Sequence, residues 1–109
     1  MISNPKASSG GGKAVAFTRC QNNEITLGAK TAITVLEEKA RLYAAFINNS
    51  PQPITLSLGV KDKARINNGI VLAPFGGSFE INQNNLYQGV VSAIAPEKCS
   101  LSFVECIES

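Results

Sequence analysis

The chain has 109 residues, 44% of them hydrophobic, and a formal net charge of +2. That length fits one domain, with a core able to form without a metal or a disulfide framework. The charge argues against nucleic acid. Lys6, Lys13, Arg19, Lys30, Lys39, Arg41, Lys61, Lys63, Arg65 and Lys98 are spread along the chain, whereas a phosphate-binding face gathers its cations on one surface. The densest group, Lys61-Asp62-Lys63-Ala64-Arg65, contains an acid and reads as a solvated loop. No secretory apolar region and no run of about 18 apolar residues is visible. The expectation is a protein without a nucleic-acid or membrane partner, soluble in the compartment where it is made.

Residues 1–12, MISNPKASSGGG, read as a flexible N-terminal arm, because Pro5 and three consecutive glycines build no regular element cheaply. Residues 13–109 read as a single domain. Lys13–Cys20 is the first strand candidate, with Val15 and Phe17 on one face. Gln21-Asn22-Asn23 is a turn signal, and Glu24–Leu27 a short extended piece. The segment 30–47 carries two signals. Ile33, Leu36, Ala40, Tyr43 and Ile47 recur at helical spacing, yet Thr31–Val35 is β-branched. Two strands at about 31–36 and 41–48, joined by Glu37-Glu38-Lys39, compete nearly evenly with one helix over 31–46.

Asn48–Pro53 is a loop fixed by two prolines. Ile54–Leu58 alternates, with Ile54, Leu56 and Leu58 on one face. Asn67-Asn68-Gly69 is a tight turn, followed by the strand Ile70–Leu72 and a break at Pro74–Gly77. Ser78–Asn82 turns Phe79 and Ile81 inward. Val90–Ala95 is apolar enough for a strand covered on both faces. Pro96-Glu97-Lys98 turns the chain into a last strand, Cys99–Ile107. Leu101 and Phe103 share one face there and Val104 and Cys106 the other, a parity slip that implies a bulge or burial on both faces. The fold class is all-β: a small antiparallel β-sandwich or barrel of about seven to nine short strands.

Chemistry finds little support in these residues. With no histidine, Ser-His and Cys-His nucleophile pairs are excluded. Zinc on Cys20, Cys99 and Cys106 would lack a Cys-x2-Cys knuckle. Glu37, Glu38, Glu80, Glu97 and Glu105 read as solvated surface acids. Gly10-Gly11-Gly12-Lys13 lacks the spacing, the hydroxyl residue and the preceding strand of a phosphate loop. Tyr87 is a candidate surface anchor or a packed residue of the sandwich. The expectation is a non-enzyme with no catalytic residue, cofactor or metal, which binds through shape and sheet edges.

Seven extended residues span about 23 Å, so Cys99 and Cys106 cannot bridge along one strand when a disulfide needs Cα atoms about 4.4–6.8 Å apart. Cys20 can meet either of them if the first and last strands pair. The expectation is three small, partly buried, reduced cysteines.

Over residues 41–105 the pattern is more particular. A basic residue precedes an apolar strand ending in asparagine, Arg41 to Ile47-Asn48-Asn49-Ser50. Pro53-Ile54-Thr55-Leu56-Ser57-Leu58-Gly59 follows, then Gly69-Ile70-Val71-Leu72 and Gly76-Gly77-Ser78-Phe79-Glu80-Ile81. Leu86-Tyr87-Gln88-Gly89-Val90-Val91-Ser92-Ala93-Ile94-Ala95 and a terminal strand running to Glu105 complete it. This region resembles a family of small virion structural proteins of tailed bacteriophages. Residues 1–40 lie outside the likeness.

The resemblance favours two strands over a helix at 31–46 and implies a domain that decorates or joins parts of a virion. The expected role is capsid cement that binds the major capsid protein, as a homotrimer, assembled in the host cytoplasm where disulfides are rare. A neck, tail or fibre and baseplate module, able to bind a host surface glycan, is the alternative station.

Overall fold

The computed structural model describes residues 16–108. The expected arm at 1–12 and the start of the first expected strand, Lys13–Val15, lie outside the described residues.

Eight strands follow one another: β1 (Arg19–Leu27), β2 (Ile33–Leu36), β3 (Arg41–Asn48), β4 (Ile54–Leu58), β5 (Ile70–Leu72), β6 (Ser78–Ile81), β7 (Val91–Ile94) and β8 (Cys99–Ile107). They form two four-stranded sheets, ordered β1-β8-β3-β6 and β2-β7-β4-β5. All strand pairs are antiparallel. An eight-stranded double sheet in which the chain alternates between layers with this order is a jelly roll. The all-β sandwich expected from the sequence is therefore the fold, and the region 31–48 is two strands rather than a helix.

The core lies between the sheets. Phe46 of β3 stacks between Phe79 of β6 and Phe103 of β8, with ring centroids 6.5 Å away on each side. Leu36, Ile54, Leu56, Leu72, Val91 and Ala93 face this row from the second sheet, and all are buried. At about 25 cal/mol per Å² of apolar area removed from water, this packing is the main force holding the layers together.

The second sheet is also covered on its outer side. The chain from Gly59 to Gly69 folds back across it through one 3₁₀ turn, Lys61–Lys63. Ser92 Oγ donates to Gly59 O at 2.6 Å, and Asn67 N donates to Thr55 Oγ1 at 2.9 Å. Thr55, Ser92 and Ala64 are buried as a result. Asn67 sits at φ 66 and Gly69 at φ 151. A Cβ at Gly69 would stand 2.3 Å from Leu56 O, so the Asn-Asn-Gly sequence supplies both the left-handed backbone and the close approach.

The expected turn and first strand need correction. Gln21-Asn22-Asn23 is no turn: β1 runs through it in unbroken register with β8, from Arg19↔Ile107 to Leu27↔Cys99. Polar side chains tolerate a strand here because Arg19–Glu24 is exposed, so no buried face selects against them. The first strand accordingly begins at Arg19, and Phe17 lies before it, stacked on Tyr43 at 5.8 Å. Leu58, opposite buried Val91, keeps the face of Ile54 and Leu56 and is 45% exposed at the open end of β4. Of the two alternatives for the last strand, burial on both faces holds, with Leu101 buried on one and Cys106 on the other, while the register irregularity falls opposite it, in β3 between Arg41 and Tyr43.

The cysteine expectation is also corrected. Cys20 and Cys106 form a disulfide with Cα atoms 4.0 Å apart, while Cys99 is free and buried. They are directly opposite residues of β1 and β8. Pairing of the first and last strands was the condition the sequence left open, and the extension of β1 through the asparagines meets it.

Candidate docking surface

The outer face of the first sheet is the broad sheet face that no described segment folds across as 59–69 folds across the second. Its side chains follow from the registers. One row across the sheet is Cys20, Cys106 and Tyr43; the next is Asn22, Val104, Ala45 and Glu80; a third is Glu24, Ser102, Ile47 and Ser78. Ala45, Ile47 and Val104 form an apolar strip in the middle, with Ile47 43% exposed. Asn22, Glu24 and Ser102 border it, and an open cavity of about 490 Å³ lies over these side chains.

Polar contacts frame the strip. Tyr43 donates its hydroxyl to Glu80 Oε2 at 2.6 Å, and Asn82 Nδ2 donates to Glu80 Oε1 at 3.0 Å. These two hydrogen bonds hold the Glu80 carboxyl below its usual range. The same Glu80 bond, and then burial, raise the Tyr43 phenol. Ser100 Oγ donates to Glu24 Oε2 at 2.8 Å, and Asn49 Nδ2 to Ser102 Oγ at 3.0 Å.

The sheet ends in β1, nine residues long and outermost. The Cys20–Cys106 Cα distance of 4.0 Å marks a narrow, non-hydrogen-bonded pair. By alternation, Gln21 and Asn23 bond to β8, while the backbone groups of Cys20, Asn22, Glu24 and Thr26 face away from it. Such an edge is a template for an added strand.

The most constrained polar residues serve the fold. Arg41 is fully buried. Its Nε donates to Glu105 Oε2 at 2.8 Å, Nη1 to Tyr87 O and Gly89 O at 2.8 and 2.9 Å, and Nη2 to Glu37 O at 2.6 Å. The β3 irregularity makes this possible: Ala44, Phe46 and Asn48 face inward, and only a shifted register lets Arg41 do so too. Lys39 Nζ reaches the other Glu105 oxygen at 3.3 Å. Glu105, read as a solvated acid, is thus an inward residue with a side chain 10% exposed.

At the far end of β3, Asn48 is also fully buried. Its Nδ2 donates to Gln52 O, Leu72 O and Ala73 O, and its Oδ1 accepts from Ser50 N and Oγ. Tyr87 packs against the core and donates its hydroxyl to Val90 O at 2.9 Å, so it is a structural residue rather than a surface anchor.

Among the described residues no three His, Cys, Asp or Glu side chains come together as a metal site. No helix among them is long and apolar enough to cross a membrane. Comparison with protein-family models, with curated proteins and with solved structures finds no match.

Proposed function

We propose that this chain is a non-enzymatic virion structural protein of a tailed phage. In this reading it is a capsid cement protein that binds the major capsid protein through the outer face of the first sheet and the β1 edge. One observation carries the docking surface: the second sheet is sealed by residues 59–69, whereas the first leaves Ala45, Ile47 and Val104 open beside a nine-residue edge. The station on a virion rests on the resemblance of residues 41–105. The jelly roll is compatible with it, since capsid domains use this fold, but lectins and cupins use it too.

Fibre or neck attachment with glycan binding is the second reading. Phe75 favours it, as an aromatic 79% exposed at φ 59 in the turn before β6. Sugar-binding loops gain from several exposed rings, and the other six aromatic side chains are buried or half-buried. That weighs toward cement. The disulfide replaces the argument from reduced cysteines: a virion assembled in the cytoplasm would close this bond after release into oxidising surroundings.

Co-sedimentation of the purified chain with capsid shells lacking it tests the reading. The protein pellets with shells, and Ile47→Asp abolishes pelleting while leaving the circular dichroism spectrum unchanged. Wild-type protein that stays in the supernatant, or an Ile47→Asp variant that pellets equally well, contradicts it. Light scattering tests the trimer, which a strictly monomeric species at high concentration contradicts.

A further inference from the structure

We propose that the Cys20–Cys106 disulfide is a reducible clasp for the first half of β1, and that a small dithiol opens it while the sandwich stays folded. This claim does not rest on the function proposed above.

Among the described residues, the first half of β1 buries no side chain in the core, and beyond its ladder with β8 it is held by the Ser100–Glu24 hydrogen bond. Arg19–Glu24 is exposed along its whole length, and β1 meets the core only through half-buried Ile25 and buried Leu27, at its other end. Ordering a residue's backbone costs about 1–2 kcal/mol, and a hydrogen bond returns about 0.5–1.5 kcal/mol net. An exposed edge with no buried side chains is therefore marginal. Upstream, Phe17 stacks on Tyr43 with ring centroids 5.8 Å apart. The partner strand is different. On its other side β8 pairs with β3, and Arg41 ties it down through Glu105.

The bond is also placed for attack. Cys20 is exposed, whereas Cys106 is buried. A cavity of about 250 Å³ beside it is lined by Arg19, Gln21, Lys39, Glu105 and Ile107 as well as Cys20. Lys39 is paired there with Glu105, so the Arg19 guanidinium is the charge that favours an approaching thiolate. That thiolate forms a sulfur–sulfur bond to Cys20 Sγ as the Cys20–Cys106 bond breaks, and Cys106 leaves as a thiolate and takes a proton from solvent. The second thiolate of the reagent then attacks the mixed disulfide and displaces Cys20, which is protonated in turn. The protein gains two electrons and two protons, and the dithiol becomes a cyclic disulfide.

Amide hydrogen exchange on the full chain, with and without dithiothreitol and in Cys20→Ser, tests the clasp. Reduction and the substitution each speed exchange at Gln21, Asn23, Phe103 and Glu105 about tenfold or more. Leu56 in β4 and Ala93 in β7 keep their protection. Alkylation of the reduced protein labels Cys20, and Cys106 once the released strand uncovers it, and spares Cys99, which stays in the core. Unchanged exchange at Gln21 and Asn23 in both opened forms overturns the proposal. So does loss of protection in β4 and β7 together with β1, because the bond would then be a staple of the whole fold.

Discussion

Arg41 shows how one side chain can organise three parts of a fold. Its guanidinium satisfies the carbonyls of Glu37, Tyr87 and Gly89 and the Glu105 carboxylate. Removing one partner of a buried ion pair costs about 3–5 kcal/mol, and the stranded carbonyls add to it. Arg41→Ala should therefore lower the unfolding free energy by about that amount, read by urea unfolding; a loss comparable to an exposed lysine substitution would contradict the assignment. The sequence showed only a basic residue ahead of an apolar strand. Its burial depends on a register shift in β3, which no local pattern announces. The Tyr43–Glu80 bond predicts a pH window. The lowered Glu80 carboxyl gives stability that is present above the ordinary carboxylate range and is lost as pH falls through its folded value. The raised Tyr43 phenol gives stability present below the ordinary phenol range, lost as pH rises through its folded value. Nuclear magnetic resonance titration of Glu80 in Tyr43→Phe should show its pKa moving up toward the ordinary value. An unmoved pKa would remove the hydrogen bond as the cause.

At the level of elements, legibility follows burial. Ile54–Leu58, Ile70–Leu72 and Ser78–Ile81 read correctly because each has one face toward a core and turn residues at its ends. Gln21-Asn22-Asn23 did not, since β1 is an edge strand and carries no hydrophobic alternation to read. Its partner β8 lies 72 or more positions away, and nothing local marks that pairing: the register places Leu27 opposite Cys99 and Arg19 opposite Ile107. The missed disulfide is a consequence of the missed strand. Turn chemistry was more transparent. Gly69→Ala places a methyl group against Leu56 O in a backbone region costly to any other residue, and should destabilise by about 1–3 kcal/mol. Thermal unfolding measures this directly; a neutral result would mean that the 59–69 cover does not depend on that approach.

Among the described residues the sandwich is asymmetric, with one outer face covered by residues 59–69 and the apolar strip of the other left open beside a long edge. The candidate docking surface was only half legible beforehand. Sheet edges could be expected from the residues, but the apolar strip of Ala45, Ile47 and Val104 needed the registers of β3 and β8. Those residues look interior in sequence because they alternate with Ala44, Phe46 and Phe103, which are turned toward the core. A surface of this kind suits a protein that acts by covering and joining, and the cement reading commits it to a repeated place on a shell. The measurement that bears on this most directly is the mass-spectrometric copy number of the chain relative to the major capsid protein in purified particles. The account predicts a copy number on the scale of the major capsid protein. A few copies per particle would contradict capsid cement and move the domain to the neck, tail or fibre.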